Sequence, residues 1–162
     1  MTLLRTLAVV LLGAGAIAAL GTQTSVTPLP DNVRAHVKDD RFQVVSTLRG
    51  LPLGVRDQLS SLFGGPYLDI ADPGAAFRAP GVSDPNLPSR RLAAAACSMD
   101  HCIVYYEKGG SAQTWHAAVL HWTPEATTLE WGGSAPGALA TFEAVQNAIL
   151  TGAVKGASAH SW

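Results

Sequence analysis

The chain has 162 residues, of which 14% are charged, and its formal net charge is −1. The charges are scattered without a run, which excludes the electrostatic footprint of a nucleic-acid binder. Two cysteines, an even count, leave no spare thiol once they pair.

The opening segment, MTLLRTLAVVLLGAGAIAAL, has one early charge, Arg5, and then an uncharged run from Thr6 to about Leu20. That run is short for a membrane span, which needs roughly 20 apolar residues, and it suits the apolar region of a signal peptide. Ala16-Ile17-Ala18 and Ala19-Leu20-Gly21 both fit small-x-small cleavage. Residues 1–21 are therefore read as a signal peptide, removed near Ala18–Gly21, and the protein as periplasmic or extracellular. An uncleaved anchor is the competing reading, and under either one the remainder is exported. No second segment is apolar enough to span a membrane. The glycines of GAGAIAALG resemble a nucleotide-binding fingerprint but open no βαβ unit, so no cofactor is expected. Removing the leader leaves roughly 140 residues, enough for one domain with its own core.

Residues 22–40, TQTSVTPLPDNVRAHVKDD, read as a polar lead-in to a single α+β domain over 41–152. RFQVVSTL, from Arg41, is a β-branched run that predicts a strand. LPLGVRDQLSSLFGG then predicts a helix, with Pro52 in its first turn, Gly64 as its stop, and Val55, Leu59, Leu62 and Phe63 on one side. Residues 65–89 form a proline-rich loop carrying Pro66, Pro73, Pro80, Pro85 and Pro88, with Tyr67, Ile70 and Phe77 as apolar anchors. Its aspartates Asp69, Asp72 and Asp84 neighbour prolines, where turn-making explains them at least as well as catalysis does.

From Arg90 four strand-like segments separated by turn signals predict a four-stranded antiparallel meander over about 90–132. SAPGALATFEAVQNAILTG predicts a C-terminal helix over about 136–151 on one face, with Ser134 as cap, a Leu139, Phe142, Val145, Ile149 stripe, and Gly152 as stop. The N-terminal strand, short helix and proline-rich loop are expected on the other face, and residues 153–162 as a flexible tail.

Cys97 and Cys102 stand five positions apart in CSMDHC, between two of the strands. A redox motif wants C-x-x-C at a helix start, and a metal site wants three or four converging ligands, which Cys97, His101 and Cys102 supply awkwardly from a hairpin. A directly opposed cross-strand pair in an exported chain fits a disulfide staple. Taking GGSA and PEAT as the next two turns puts Leu92, Ala94, Ala96, Ile103, Tyr105, His116, Ala118, Leu120, Trp122, Leu129 and Trp131 on one face. Ala93, Ala95, Val104, Tyr106, Trp115, Ala117, Val119, His121, Thr128 and Glu130 fall on the other.

That second face is more apolar than a solvated sheet face, so either the chain's own residues 41–80 cover it or a partner does. The expected function is a non-catalytic binding or accessory protein of the cell envelope. Its contact surface would be Tyr106, Trp115, Val119 and His121, and its partner an envelope protein or a small apolar ligand. The alternative is a small hydrolase or metal-dependent enzyme using His121 or His116 with the loop aspartates. No catalytic residue and no metal ligand is assigned. His116 and His121 point to opposite faces, His101 lies in a turn, and His36 and His160 lie near the ends. Ser98, Asp100 and His101 are too close along a turn for a nucleophile–base–orienter line, and Glu107 and Glu130 fall on opposite faces.

Overall fold

The computed structural model describes residues 26–157. The expected signal peptide with its expected cleavage site, and the last residues of the expected tail, 158–162, lie outside the described residues. The architecture is α+β: a six-stranded antiparallel sheet in sequential strand order, with three helices packed on it. The four expected strands form its centre: β2 (Arg90–Cys97), β3 (His101–Lys108), β4 (Thr114–Trp122) and β5 (Thr127–Ala135). Two-residue strands extend it at either edge, β1 (Gln43–Val44) beside β2 and β6 (Lys155–Gly156) beside β5.

Both faces of the sheet are sealed. On one, Ala96, Ile103, Tyr105, Ala117, Val119 and Trp131 pack against α1 (Asp31–Asp39) and α3 (Phe142–Leu150), which contribute Val33, Val37, Phe142, Val145 and Ile149. On the other, Leu92, Ala95, Val104, Tyr106, Ala118 and Leu120 lie under Val55 and Leu59 of α2 (Leu53–Leu62), with Leu51 and Ile70 beside them. Each fully buried Val or Leu contributes about 1.5–3 kcal/mol, so two such layers together outweigh the roughly 2 kcal/mol expected of one short-loop disulfide.

Several expectations are corrected. The polar lead-in contains α1, whose Val33 and Val37 are buried against the sheet; charged neighbours mask that short apolar stripe. The C-terminal helix begins at Phe142 rather than near 136, because Thr141 is its cap and accepts a hydrogen bond from Ala144 N at 3.2 Å. Ser134 belongs to β5. The expected tail begins with a docked piece, in which Val154 is buried and β6 pairs with β5. The N-terminal strand covers no face and is an edge strand paired to β2.

The face assignments also change. Cys97 opposes Cys102, Ala96 opposes Ile103 and Ala94 opposes Tyr105, as expected, but a bulge at Ala93 turns Leu92 to the Tyr106 side. The β3–β4 turn holds five residues, 109–113, instead of four, so Ile103 opposes Val119. A slip of one residue sends every β4 side chain to the other face: Trp115, Ala117 and Val119 join Tyr105, whereas His116, Ala118 and Leu120 join Tyr106. A second bulge, at Glu130, lets Leu129 oppose Leu120 while Trp131 opposes Val119.

The proline-rich loop is anchored by its own polar groups. Asp69 accepts from Ser89 N at 2.8 Å and from Arg90 Nη1 at 2.9 Å, Asp72 from Leu48 N at 2.6 Å, and Asp84 from Asn86 N at 2.9 Å. Ile70 and Phe77 are buried, and Ala71 bridges to Arg91. The loop crosses the β3–β4 hairpin so closely that a Cβ on Gly109 would lie 1.8 Å from the carbonyl oxygen of Arg78.

Candidate functional site: a histidine–carboxylate cluster at the disulfide end of the sheet

The Cys97–Cys102 disulfide closes the β2–β3 hairpin and fixes the turn 98–101. Ser98 N donates to His101 O at 2.7 Å, and Trp122 N donates to Asp100 O at 2.8 Å, which ties the turn to the end of β4. His101, the first residue of β3, therefore points inward on the α1/α3 face, directly opposite His121 on β4. Its side chain is 2% exposed.

Four elements converge on that ring. From the end of α1, His36 stacks on it with ring centroids 3.9 Å apart, and Asp40 Oδ2 lies 3.3 Å from His101 Nδ1. From the turn, Asp100 Oδ1 lies 2.9 Å from the same nitrogen. From β4, the His121 ring is tilted against it at 5.1 Å. From the β5 bulge, Glu130 Oε2 stands 3.3 Å from His101 Nε2. Ser98 Oγ donates to Asp40 Oδ2 at 3.0 Å, and His36 Nδ1 lies 3.3 Å from Asp40 Oδ1. Burial works to raise the Asp100 carboxyl, but the hydrogen bond from His101 and the charges of His101, His36 and His121 outweigh it and hold that carboxyl below its usual range.

Beside the cluster a groove of about 690 Å³ opens between β1, the start of α2 and the hairpin turn. Its size falls within the roughly 300–1,000 Å³ range of small-ligand sites. Asp40, Ser98 and Asp100 form its polar end, and Val44, Pro52, Met99 and Trp122 supply apolar surface. Val44 and Met99 are 67% and 92% exposed.

The four residues expected to share a contact surface are dispersed. Tyr106 is fully buried on the α2 face, where its ring meets Phe63 edge-on, and burial pushes its hydroxyl pKa up. Val119 is fully buried on the opposite face. Trp115 stacks on Tyr105 at 5.7 Å, partly buried on that same face, and His121 joins the cluster. His116 lies on the α2 face between Thr114 Oγ1 at 2.8 Å and Ser134 Oγ at 3.3 Å. The aspartates named as its possible partners are each engaged in the loop contacts given above. Glu107 is buried and paired with Arg91 at 2.6 Å.

The cluster was hidden in sequence for a definite reason. Val33 and Val37, four apart, were the signal that the lead-in is a helix, and a helix puts His36 and Asp40 on one side. The His101–His121 pairing appears only with a five-residue turn after β3. Comparison of the chain with protein-family models, with curated proteins and with solved structures finds no match.

Proposed function

We propose that this chain is an exported, non-catalytic binding protein of the cell envelope, whose ligand seats in the groove beside Cys97 and Cys102. The leader-like first 21 residues and the disulfide support the compartment. One observation carries the site: with both sheet faces sealed by helices, the groove joins concavity, exposed apolar side chains and charged groups in one place. A ligand with an apolar body and a cationic group fits it. Val44, Pro52, Met99 and Trp122 receive the body, and Asp40 and Asp100 receive the charge. Among the described residues no helix is long and apolar enough to cross a membrane.

The test is a nuclear magnetic resonance titration of the oxidised protein with apolar amines and matched apolar carboxylates. The Met99 methyl and the Trp122 indole should shift with the amines alone. Shifts confined to other surfaces, or equal response to the carboxylates, would overturn the groove as the site.

A further inference from the structure

We infer that His36, Asp40, Asp100 and His101 form a binding site for a divalent transition-metal ion of the zinc type, held in place by Glu130 and Ser98. One ligand atom from each of the four residues lies within 4.8 Å of all the others. Ligands bound to zinc at about 2.0–2.1 Å in a tetrahedral shell stand roughly 3.3 Å from one another. Some gaps are already at or below that spacing: 2.9 Å from His101 Nδ1 to Asp100 Oδ1, and 3.3 Å from His101 Nδ1 to Asp40 Oδ2, while the other Asp40 oxygen, Oδ1, lies 3.3 Å from His36 Nδ1.

The surroundings of His101 point to a cation independently of that spacing. Its Nε2 and the Oε2 of Glu130 are both shut away from solvent and 3.3 Å apart, and neither makes a hydrogen bond of good geometry to any described residue, each other included. A metal-ligating histidine ordinarily donates its second ring N–H to a carboxylate, which fixes the tautomer. When Nδ1 carries a lone pair, as ligation requires, it faces Asp100 Oδ1 at 2.9 Å and Asp40 Oδ2 at 3.3 Å. Acceptor against acceptors is repulsive unless a positive charge lies between them. A proton on Nδ1 serves Asp100 but, in the neutral ring, sets the Nε2 lone pair against Glu130 Oε2, and a second proton gives nothing to His36, stacked 3.9 Å away. Two charged imidazoles at that distance repel. A metal ion takes lone pairs from both rings and charge from both aspartates at once. Ser98 Oγ, donating to Asp40, supplies the hydrogen bond that ligating carboxylates usually carry.

Two imidazoles with two carboxylates favour a borderline ion such as zinc over calcium or magnesium, which prefer all-oxygen shells. Asp40 and Asp100 border the groove, so an ion can enter from solvent and keep a coordination position for water or a ligand group. The inference stands without an organic ligand in the groove. Zinc should nonetheless displace the apolar amines from Asp40 and Asp100, because both use the same charges.

The experiment titrates zinc alone into the chelator-treated, oxidised protein at pH 7.5, followed by calorimetry and by the imidazole resonances. Saturable binding of one ion per chain is expected, with the His36 and His101 rings shifted and the His116 ring unmoved. Affinity should fall on acidification, since the ligands must be deprotonated. Glu130→Gln should weaken binding by roughly 10–100-fold at unchanged stoichiometry, and His101→Gln should abolish it. If His101→Gln fails to fold, Asp100→Asn, at a half-exposed side chain, decides, with a loss of at least about tenfold expected. The inference is overturned by a wild-type protein that takes up no zinc saturably, by unmoved His36 and His101 rings, or by full affinity in folded Asp100→Asn. Amine binding in the groove without zinc binding would overturn this site and leave the groove reading intact.

Discussion

His116 and His101 are both buried imidazoles, yet their surroundings make opposite demands. His116 has hydroxyl partners only, with Lys108 and Arg90 close enough to oppose a further positive charge. Burial, first, and then those two cations push its pKa down to about 4. A base depressed in the folded state stays neutral there while the unfolded chain takes up a proton below pH 6.5. Its effect on stability is therefore absent above pH 6.5, and stability is lost as pH falls from there towards 4. Between pH 7 and pH 4.5 the loss from His116 alone is about 2–3 kcal/mol. Urea midpoints of wild type and His116→Gln, each measured at both pH values, check it: the variant should lose less on acidification. An equal loss in both proteins would assign the acid sensitivity elsewhere. Tyr105 offers a second test at this scale. Its hydroxyl donates to Gly137 O at 2.6 Å, so Tyr105→Phe should cost about 1 kcal/mol by denaturant unfolding. None of these environments was visible in the sequence, because each is set by residues brought together from distant segments.

At the level of elements, strand existence was legible and strand phase was not. The alternation in CIVYYEKGG and TWHAAVLHWT marks two strands whatever their pairing. Phase depended on whether the turn after Lys108 holds four residues or five, and GGSAQ carries no feature that separates the two. The bulges at Ala93 and Glu130 were equally silent, since neither needs a glycine. Only at the β2–β3 hairpin did a covalent constraint fix the register, and there the expectation held residue for residue from Ala94 to Cys102. The same constraint sets the disulfide's contribution. Closing so short a loop removes enough unfolded-state entropy for about 2 kcal/mol. The Cys97→Ala, Cys102→Ala double variant should keep the fold and unfold about 2 kcal/mol more readily in urea. Loosening of the 98–101 turn should also broaden the His101 and Asp100 resonances before any global change. Sharp, unshifted signals there would mean that the cluster does not rely on the staple.

The whole molecule is closed by the two segments that the sequence reading set aside as a lead-in and a tail. Thr27 N donates to Gly156 O at 3.1 Å, and Trp131 Nε1 donates to Thr27 O at 3.3 Å, so the two ends of the described chain meet over the same tryptophan. Val33, Val37 and Val154 are each at most 2% exposed there. By area, burial of three valines contributes about 5–9 kcal/mol, comparable with the roughly 5–15 kcal/mol of a typical domain's net stability. Trimming the chain to residues 41–152, the boundaries that composition suggests, uncovers Ile103, Val119 and Trp131 and removes His36 and Asp40. The trimmed chain should lose cooperative unfolding and bind an apolar dye, while a chain of residues 26–157 unfolds in one sharp transition. Cooperative unfolding of the 41–152 chain at an unchanged midpoint would show that α1 and β6 sit on a core already complete without them. Under the present structure they are part of that core, and the histidine–carboxylate cluster exists only because α1 is held where Val33 and Val37 dock.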